Sequence, residues 1–404
     1  TMNLQRQIIK RSTQLISFFL GIEILLGYKL WFPIYREFPL LSAFSWLDFS
    51  IGILGDGLLT LLVLIALVAI FLDWHKKLAL ATLLGCLTIL ILEDITRLQP
   101  WVYTQVALLI LLCFNKKGQV KSVLTSVLWL IALVYIWSGI QKLNLGFLQE
   151  TFPWLLTAFG FNLKTDTSAA MHTFNYVFAV VPLLECLIGV GLLSTKTRKT
   201  SIILALLMHV YIILSLGPTG LNWNLIILPW NLCFAILLLQ FYALKEPLLI
   251  TKDMSWFAFN YAVILFFGLL PALNFIGYWD SNLSSTMYSG THSNVIFYFE
   301  TDSTPQQTTF RAAATLPVEG KKQASLISET WLTSWSVYDL KVPFYSADRY
   351  YKRYGKQLCE TTKNTSKAGI KIITRSKFTA KPVVTKCSCL TLLESNYFKL
   401  LSTK

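Results

Sequence analysis

Ser122–Lys142 reads SVLTSVLWLIALVYIWSGIQK, 21 residues with no acidic side chain and one basic residue, at the very end. At about 1.5 Å of rise per residue, such a helix spans the roughly 30 Å hydrocarbon core of a bilayer. Windows of the same kind recur at 12–32, 54–73, 77–93, 101–115, 174–194, 200–217, 222–243 and 255–276. The pattern predicts an all-α polytopic membrane bundle of about nine transmembrane helices. The window opening with Gln99-Pro100-Trp101 is short, as a tilted or partly re-entrant helix would be.

Composition agrees. The 404-residue chain is 54% hydrophobic and 14% charged, with a mean hydropathy of +0.56, well above a soluble globular protein. The long apolar runs end near residue 277, and the remainder is polar and Lys-rich. Two domains are expected: a transmembrane helical domain over 1–277 and an extracytoplasmic, mainly β domain over 278–404. The net charge of +14 does not argue for nucleic acid, because many of the basic residues fall in short loops between apolar windows.

Those loops set an orientation. His75-Lys76-Lys77, Lys116-Lys117 with Lys121, Lys196 to Lys199 with Arg198, and Lys245 with Lys252 alternate to one side. The opposite loops hold only Arg36, Arg97, Lys142 and Lys164. The positive-inside rule then predicts N-in and C-out across nine spans. Arg6, Lys10 and Arg11 before Leu15–Leu20 imitate a signal sequence. No small-x-small site follows and Glu23 and Lys29 intervene, so an uncleaved first helix is expected.

Residues 33–50 and 146–163 are aromatic-rich and moderately apolar. They suit helices lying in the interface or a lid packed over the bundle. Beyond 278, Asn294–Phe299, Ala324–Ile327 and Gly369–Ile373 read as strands, with a helix expected around 345–357. Lys371, Arg375, Lys377, Lys381 and Lys386 make that region basic, and a solvated face is the simplest reading. Cys86, Cys113, Cys186 and Cys233 lie inside apolar windows as small buried hydrophobes. Cys359 is expected to pair with Cys387 or Cys389, leaving one thiol over. His75, His172, His209 and His292 show no metal-ligand spacing, so no metal site is expected.

Polar groups inside the apolar windows are the functional signal. Glu185, one turn after Pro182, and His209 each lie near mid-window, where an ionisable side chain costs about 2.5–3.5 kcal/mol on insertion scales. Glu93, Asp94, Arg97, Lys142, Asn222 and Asn224 fall at window ends on one side, among Trp101, Tyr103, Tyr135, Trp137, Trp223 and Trp230. Pro229 in Pro229-Trp230-Asn231 is expected to interrupt the eighth helix. Ser138-Gly139 allows another helix or a ligand close to the backbone. Acid, base, amide and aromatic walls together suit a flat lipid such as a quinone, whose rings stack while ionisable groups exchange protons with its head.

Trp137-Ser138-Gly139-Ile140-Gln141-Lys142-Leu143-Asn144 resembles a segment of the horizontally transferred transmembrane (HTTM) domain, the group that includes the vitamin K-dependent γ-carboxylases. Arg97–Tyr103 resembles a second segment common in its bacterial members. Ser138-Gly139-x-x-Lys142 and Glu185-x-x-x-Gly189-x-Gly191 also look like helices of DoxX/MauE-type membrane proteins, which are associated with quinone reduction and thiol oxidation. The resemblance covers roughly 90–235. It implies a bacterial inner (cytoplasmic) membrane and quinol chemistry with Lys142 as base, whereas the carboxylase's propeptide and glutamate-binding regions have no counterpart. Ser138 and Gln141 depart from the carboxylase pattern.

The expectation is therefore a quinone- or quinol-binding pocket open to the outer side. Lys142, Glu185 and His209 are its acid–base groups. Arg97, Trp101, Tyr103, Trp137, Asn222, Asn224 and Trp230 hold the lipid. The alternative is an anchoring subunit of a larger envelope complex, whose C-terminal domain docks an extracytoplasmic protein. Transport fits less well, because no broken-helix pair recurs in corresponding halves.

Overall fold

A computed structural model describes residues 2–47, 49–114, 119–161, 169–248, 257–301, 326–362, 367–374 and 382–394. Two helices come first, α1 (Met2–Leu26) and the single turn α2 (Tyr28–Trp31). Then follow α3 (Gly52–Phe71), α4 (Lys76–Glu93), α5 (Pro100–Cys113) and α6 (Val120–Lys142). A short α7 (Phe152–Leu156) precedes α8 (Ala169–Leu193), α9 (Arg198–Leu216), α10 (Ile227–Tyr242) and α11 (Phe257–Val263), the last continuing in π and 3₁₀ turns to Ile276. Helix occupies part of every apolar window. Among the described residues, three helices, α3, α6 and α9, are long and apolar enough to cross a membrane, and α5, α10, Val177–Leu193 and Asn260–Ile276 are shorter apolar segments.

The helix surfaces show why. On α3, Asp56, Thr60, Val63, Leu67 and Ile70 face inward at helical spacing. Leu54, Leu58, Leu61, Ile65 and Val68, at the same spacing, are exposed. Leu183, Leu187 and Val190 on α8, and Ile203, Leu207, Val210 and Leu214 on α9, form similar exposed stripes. Apolar stripes of this extent are unfavourable in water and natural against lipid. The helical part of the chain has the character of a membrane-associated bundle.

Past residue 277 the chain builds a four-stranded antiparallel sheet of order β2-β1-β3-β4. The strands are β1 (Asn294–Thr301), β2 (Leu326–Trp331), β3 (Ala368–Thr374) and β4 (Val383–Ser388). Ile296 pairs with Trp331 on one side and Lys371 on the other. This region is less β-dominated than expected, because α12 (Leu332–Leu340), α13 (Asp348–Glu360) and α14 (Cys389–Glu394) pack with the sheet. Tyr350, Tyr351, Tyr354, Leu358 and Cys359 form the buried stripe of α13, and Cys359 is disulfide-bonded to Cys389. Cys387 is the remaining thiol of the three.

This layer sits on one end of the bundle. Asp339 accepts from the amides of Glu37 and Phe38 at 2.7 and 2.8 Å and from Lys29 Nζ at 2.8 Å. Gln99 donates to Pro343 O, Tyr103 to Asn282 O, and Asn144 to Ser289 O. The Phe38 ring packs among Trp335, Phe344 and Tyr354.

Several expectations need correction. The described residues of 33–50 contain no helix, because Pro33 and Pro39 interrupt the stretch and Arg36 is tied to Asp94 and to the carbonyls of Phe38 and Pro39. Asn222-Trp223-Asn224 is a loop, with Asn222 at φ +47°, and the helix starts only at Ile227. Pro229 therefore lies in the first turn, where its missing N–H breaks no bond. The strand expected from Ala324 is described from Leu326 onward. Lys116, Lys117, Lys164, Lys252, Arg375, Lys377, Lys381 and the side chain of His172 lie outside the described residues.

Candidate functional site

The site begins with two glycines. Gly139 on α6 lies so close to α8 that a Cβ there would stand 2.4 Å from Pro182 O. Gly189 on α8 is pressed equally hard on α6, 2.6 Å from Ala132 O by the same measure. Missing side chains let the two backbones approach, as in tightly packed membrane helices. Lys142 and Glu185, one on each helix, are thereby brought into contact.

Lys142 Nζ donates to Glu185 Oε1 at 2.9 Å, to Oε2 at 2.8 Å, and to Ser138 Oγ at 2.5 Å. Ser138 in turn donates to Glu185 Oε1 at 2.9 Å. All three ammonium protons have acceptors. The side chains are 13% and 7% exposed, so this is a nearly dehydrated ion pair rather than a lysine reaching for water.

A second cluster faces the same space. Asn231 Nδ2 donates to Ile227 O at 2.7 Å, which turns its Oδ1 toward His209 Nδ1, also at 2.7 Å. In the neutral imidazole Nδ1 then carries the proton, leaving Nε2 to accept from the Tyr135 hydroxyl at 2.6 Å. His209 is thus linked to Tyr135 and Asn231, and Glu185 belongs to Lys142.

Tyr135, Ser138, Lys142, Glu185, His209, Trp230 and Asn231 all line one cavity of about 120 Å³. Phe147, Phe152, Val181, Met208, Tyr211, Met287 and Tyr288 complete much of its wall. The Trp230 indole N–H is buried there without a hydrogen-bond partner among the described residues. A larger space of about 640 Å³, between the bundle end and the C-terminal layer, shares Met287 and Tyr288 with it.

Of the residues expected to hold a lipid, Trp230 alone lines the inner cavity. Arg97 is fully buried elsewhere, with Nη2 on Asp56 at 2.6 Å, Nη1 on Glu93 at 3.0 Å and on Leu90 O, and Nε on Leu30 O. It ties α2, α3 and α4 together and cannot orient an anion in the cavity. Trp101 packs edge-on to Trp31, and Tyr103 bonds to the loop before β1. Trp137 donates to Gly268 O on the far side of α6. Asn222 and Asn224 lie in the loop before α10, with Asn224 buried and Asn222 exposed.

Asp56, Asn231 and the Glu23–Gln105 pair escaped the sequence reading. Gln105 Nε2 lies 2.8 Å from each Glu23 oxygen, deep in the bundle. A lone carboxylate within an apolar window was the available signal in Glu23 and Asp56; Asn231 had none beyond the nearby Pro229. In the C-terminal layer, burial pushes the hydroxyls of Tyr345, Tyr351 and Tyr354 above the ordinary phenol value of 10.0.

Comparison with protein-family models, curated proteins and solved structures finds no match to this chain.

Proposed function

We propose that this chain is a multi-pass membrane protein that binds the head of a quinone or quinol, or a similar lipid, in the α6–α8–α9–α10 cavity. The single observation that carries this reading is the convergence of Lys142–Glu185 and His209–Tyr135 on one mostly apolar space. Apolar pockets with a few convergent polar groups are the usual form of small-molecule sites.

The chemistry follows from the two clusters. Lys142 and Glu185 as an ion pair are neutral overall and can take up one proton, on the carboxylate. The ammonium then remains beside a ring oxygen and offsets negative charge developing there. Lys142 acts as a base only after handing a proton to Glu185, so the pair is the acid–base unit. His209 Nε2 accepts a second proton through Tyr135, and Asn231 holds the tautomer that allows it. Trp230 supplies one more donor. A bound quinol would give its two hydroxyl protons to Glu185 and His209 Nε2, and its two electrons would pass to a separate redox partner that accepts them.

The fuller topology belongs to the same proposal: nine spans, N-terminus inside, in a bacterial inner membrane, with the C-terminal layer extracytoplasmic. Lys10, Arg11, Lys76, Lys77, Lys196 and Lys199 lie in segments at the bundle end away from that layer, which supports the orientation. A distant relation to HTTM or DoxX/MauE proteins would account for Lys142 and Glu185 in their helical settings.

The test is retention. Quinone extracted from the detergent-purified protein is expected near one per chain and lost in Lys142→Ala. Equal retention by both proteins would remove the assignment.

A further inference from the structure

We infer that the larger outer chamber is the second half of the ligand site and takes an uncharged, prenyl-like chain carried by the ring beside Lys142, an inference that rests on the quinone reading above. The inner space is too small to hold such a molecule alone. It measures about 120 Å³, less than the roughly 150 Å³ of a cavity that holds benzene. A substituted ring seated there must continue outward. None of the described residues lining the inner cavity is exposed; the exposed Leu183 and Leu187 of α8, and Leu207 and Val210 of α9, lie outside its lining. Met287 and Tyr288, by contrast, line both spaces, so the outward path runs past them.

That path is fixed relative to the ion pair. Asn144, just past Lys142, donates to Ser289 O at 2.8 Å, and a Cβ on Gly146 would stand 2.4 Å from Gly290 O. The loop carrying Met287 and Tyr288 is therefore held on the end of α6. The Tyr288 ring stacks on Trp154 at 6.4 Å between centroids. Met287, with its flexible thioether, is the part of the wall that yields. The chamber beyond, about 640 Å³, has the size of an ordinary small-molecule site, roughly 300–1,000 Å³. Trp154, Trp223, Trp331 and Phe344 give it aromatic walls. Among the described residues its lining has no Lys or Arg, and its one carboxylate, Glu150, is exposed. An apolar chain finds partners there, whereas an anionic group meets no cation.

The probes are duroquinone and its analogue in which a geranyl chain replaces one methyl group. Thr333→Trp and, separately, Ser334→Trp fill the outer chamber from α12 and leave the inner lining untouched. Equilibrium dialysis of the full-length protein in mild detergent compares each variant with the wild type, so partition of a probe into micelles cancels. The geranyl analogue is expected to bind about tenfold more weakly to each variant, the scale of overpacking a filled site. Duroquinone should stay within about twofold of the wild type, which also reports that the variant is folded. Two variants guard against one failing to fold. Wild-type affinity for the geranyl analogue in both folded variants would overturn the chamber assignment and leave the quinone reading standing. Equal weakening of both probes in both folded variants would overturn it too, since the chain would not be what the chamber holds. Binding of neither probe to the wild type would remove the quinone reading and the chamber assignment with it.

Discussion

Lys142 Nζ and Glu185 Oε2 lie 2.8 Å apart on two helices that touch through Gly139 and Gly189. The ion pair and the glycines explain each other. Without close backbones the charges would not meet; without a partner, either charge would be stranded in an apolar interior.

The pair makes a prediction about stability. Glu185→Leu alone leaves an unpaired ammonium and should cost about 3–5 kcal/mol, whereas Lys142→Met with Glu185→Leu should come close to wild type. Thermal unfolding in detergent distinguishes the two. Singles and double equally destabilised would mean the charges contribute through something other than each other.

Gly139→Ala puts a methyl group against the Pro182 carbonyl, and Gly189→Ala one against that of Ala132. Each should cost about 1–3 kcal/mol by overpacking. Each should also weaken quinone retention, because α6 and α8 must separate. An unchanged melting temperature in both would show that the helices have slack.

Arg97 divides structure from site. Arg97→Lys retains the charge but cannot reproduce bonds from Nε and both Nη atoms, so it should destabilise by a few kcal/mol. Quinone bound per folded molecule should stay at the wild-type level. Selective loss of binding in a fully stable Arg97→Lys protein would return Arg97 to the site.

His209→Leu removes the second proton acceptor, and the expected loss of quinol turnover is about a hundredfold or more, with binding affected far less. Tyr135→Phe should act in the same direction. Kinetics with a tailless quinol and an artificial electron acceptor would measure both.

The C-terminal layer should be alkali-sensitive. The folded-state pKa values of Tyr345, Tyr351 and Tyr354 are raised by burial, so the unfolded chain loses these protons first as pH rises past 10.0. Their contribution is complete below that value and falls as pH climbs toward the folded values. Tyr345→Phe should flatten the alkaline limb of the melting curve while costing the bond to Asp280. An equally steep limb in that variant would assign the transition to other groups.

Much of this molecule is legible in the chain, for identifiable reasons. Apolar windows reveal helices because each helix is longer than any local competing structure, and Lys142, Glu185 and His209 stand out because charge there needs a reason. Asn222–Asn224 misleads, since amide-rich sequence reads equally as a helix start or a left-handed turn. Arg97 misleads more deeply. Its partner Asp56 is 41 positions away on another helix, and no periodicity reveals such a pairing. The division of the polar groups into Lys142–Glu185 and His209–Tyr135–Asn231 depends on helix rotation, which sequence spacing does not set.

The central claim is tested most directly by locating the ligand. A single-ring quinone bearing a photoreactive group should label α6, α7, α9 or α10 at positions such as Ser138, Phe152, Met208 or Trp230, read by peptide mass spectrometry. Excess duroquinone should abolish that labelling, and the Lys142→Met/Glu185→Leu protein should show little of it. Labelling confined to the exposed stripes of α3 and α8, uncompeted and unchanged in the double variant, would contradict a quinone site in this cavity.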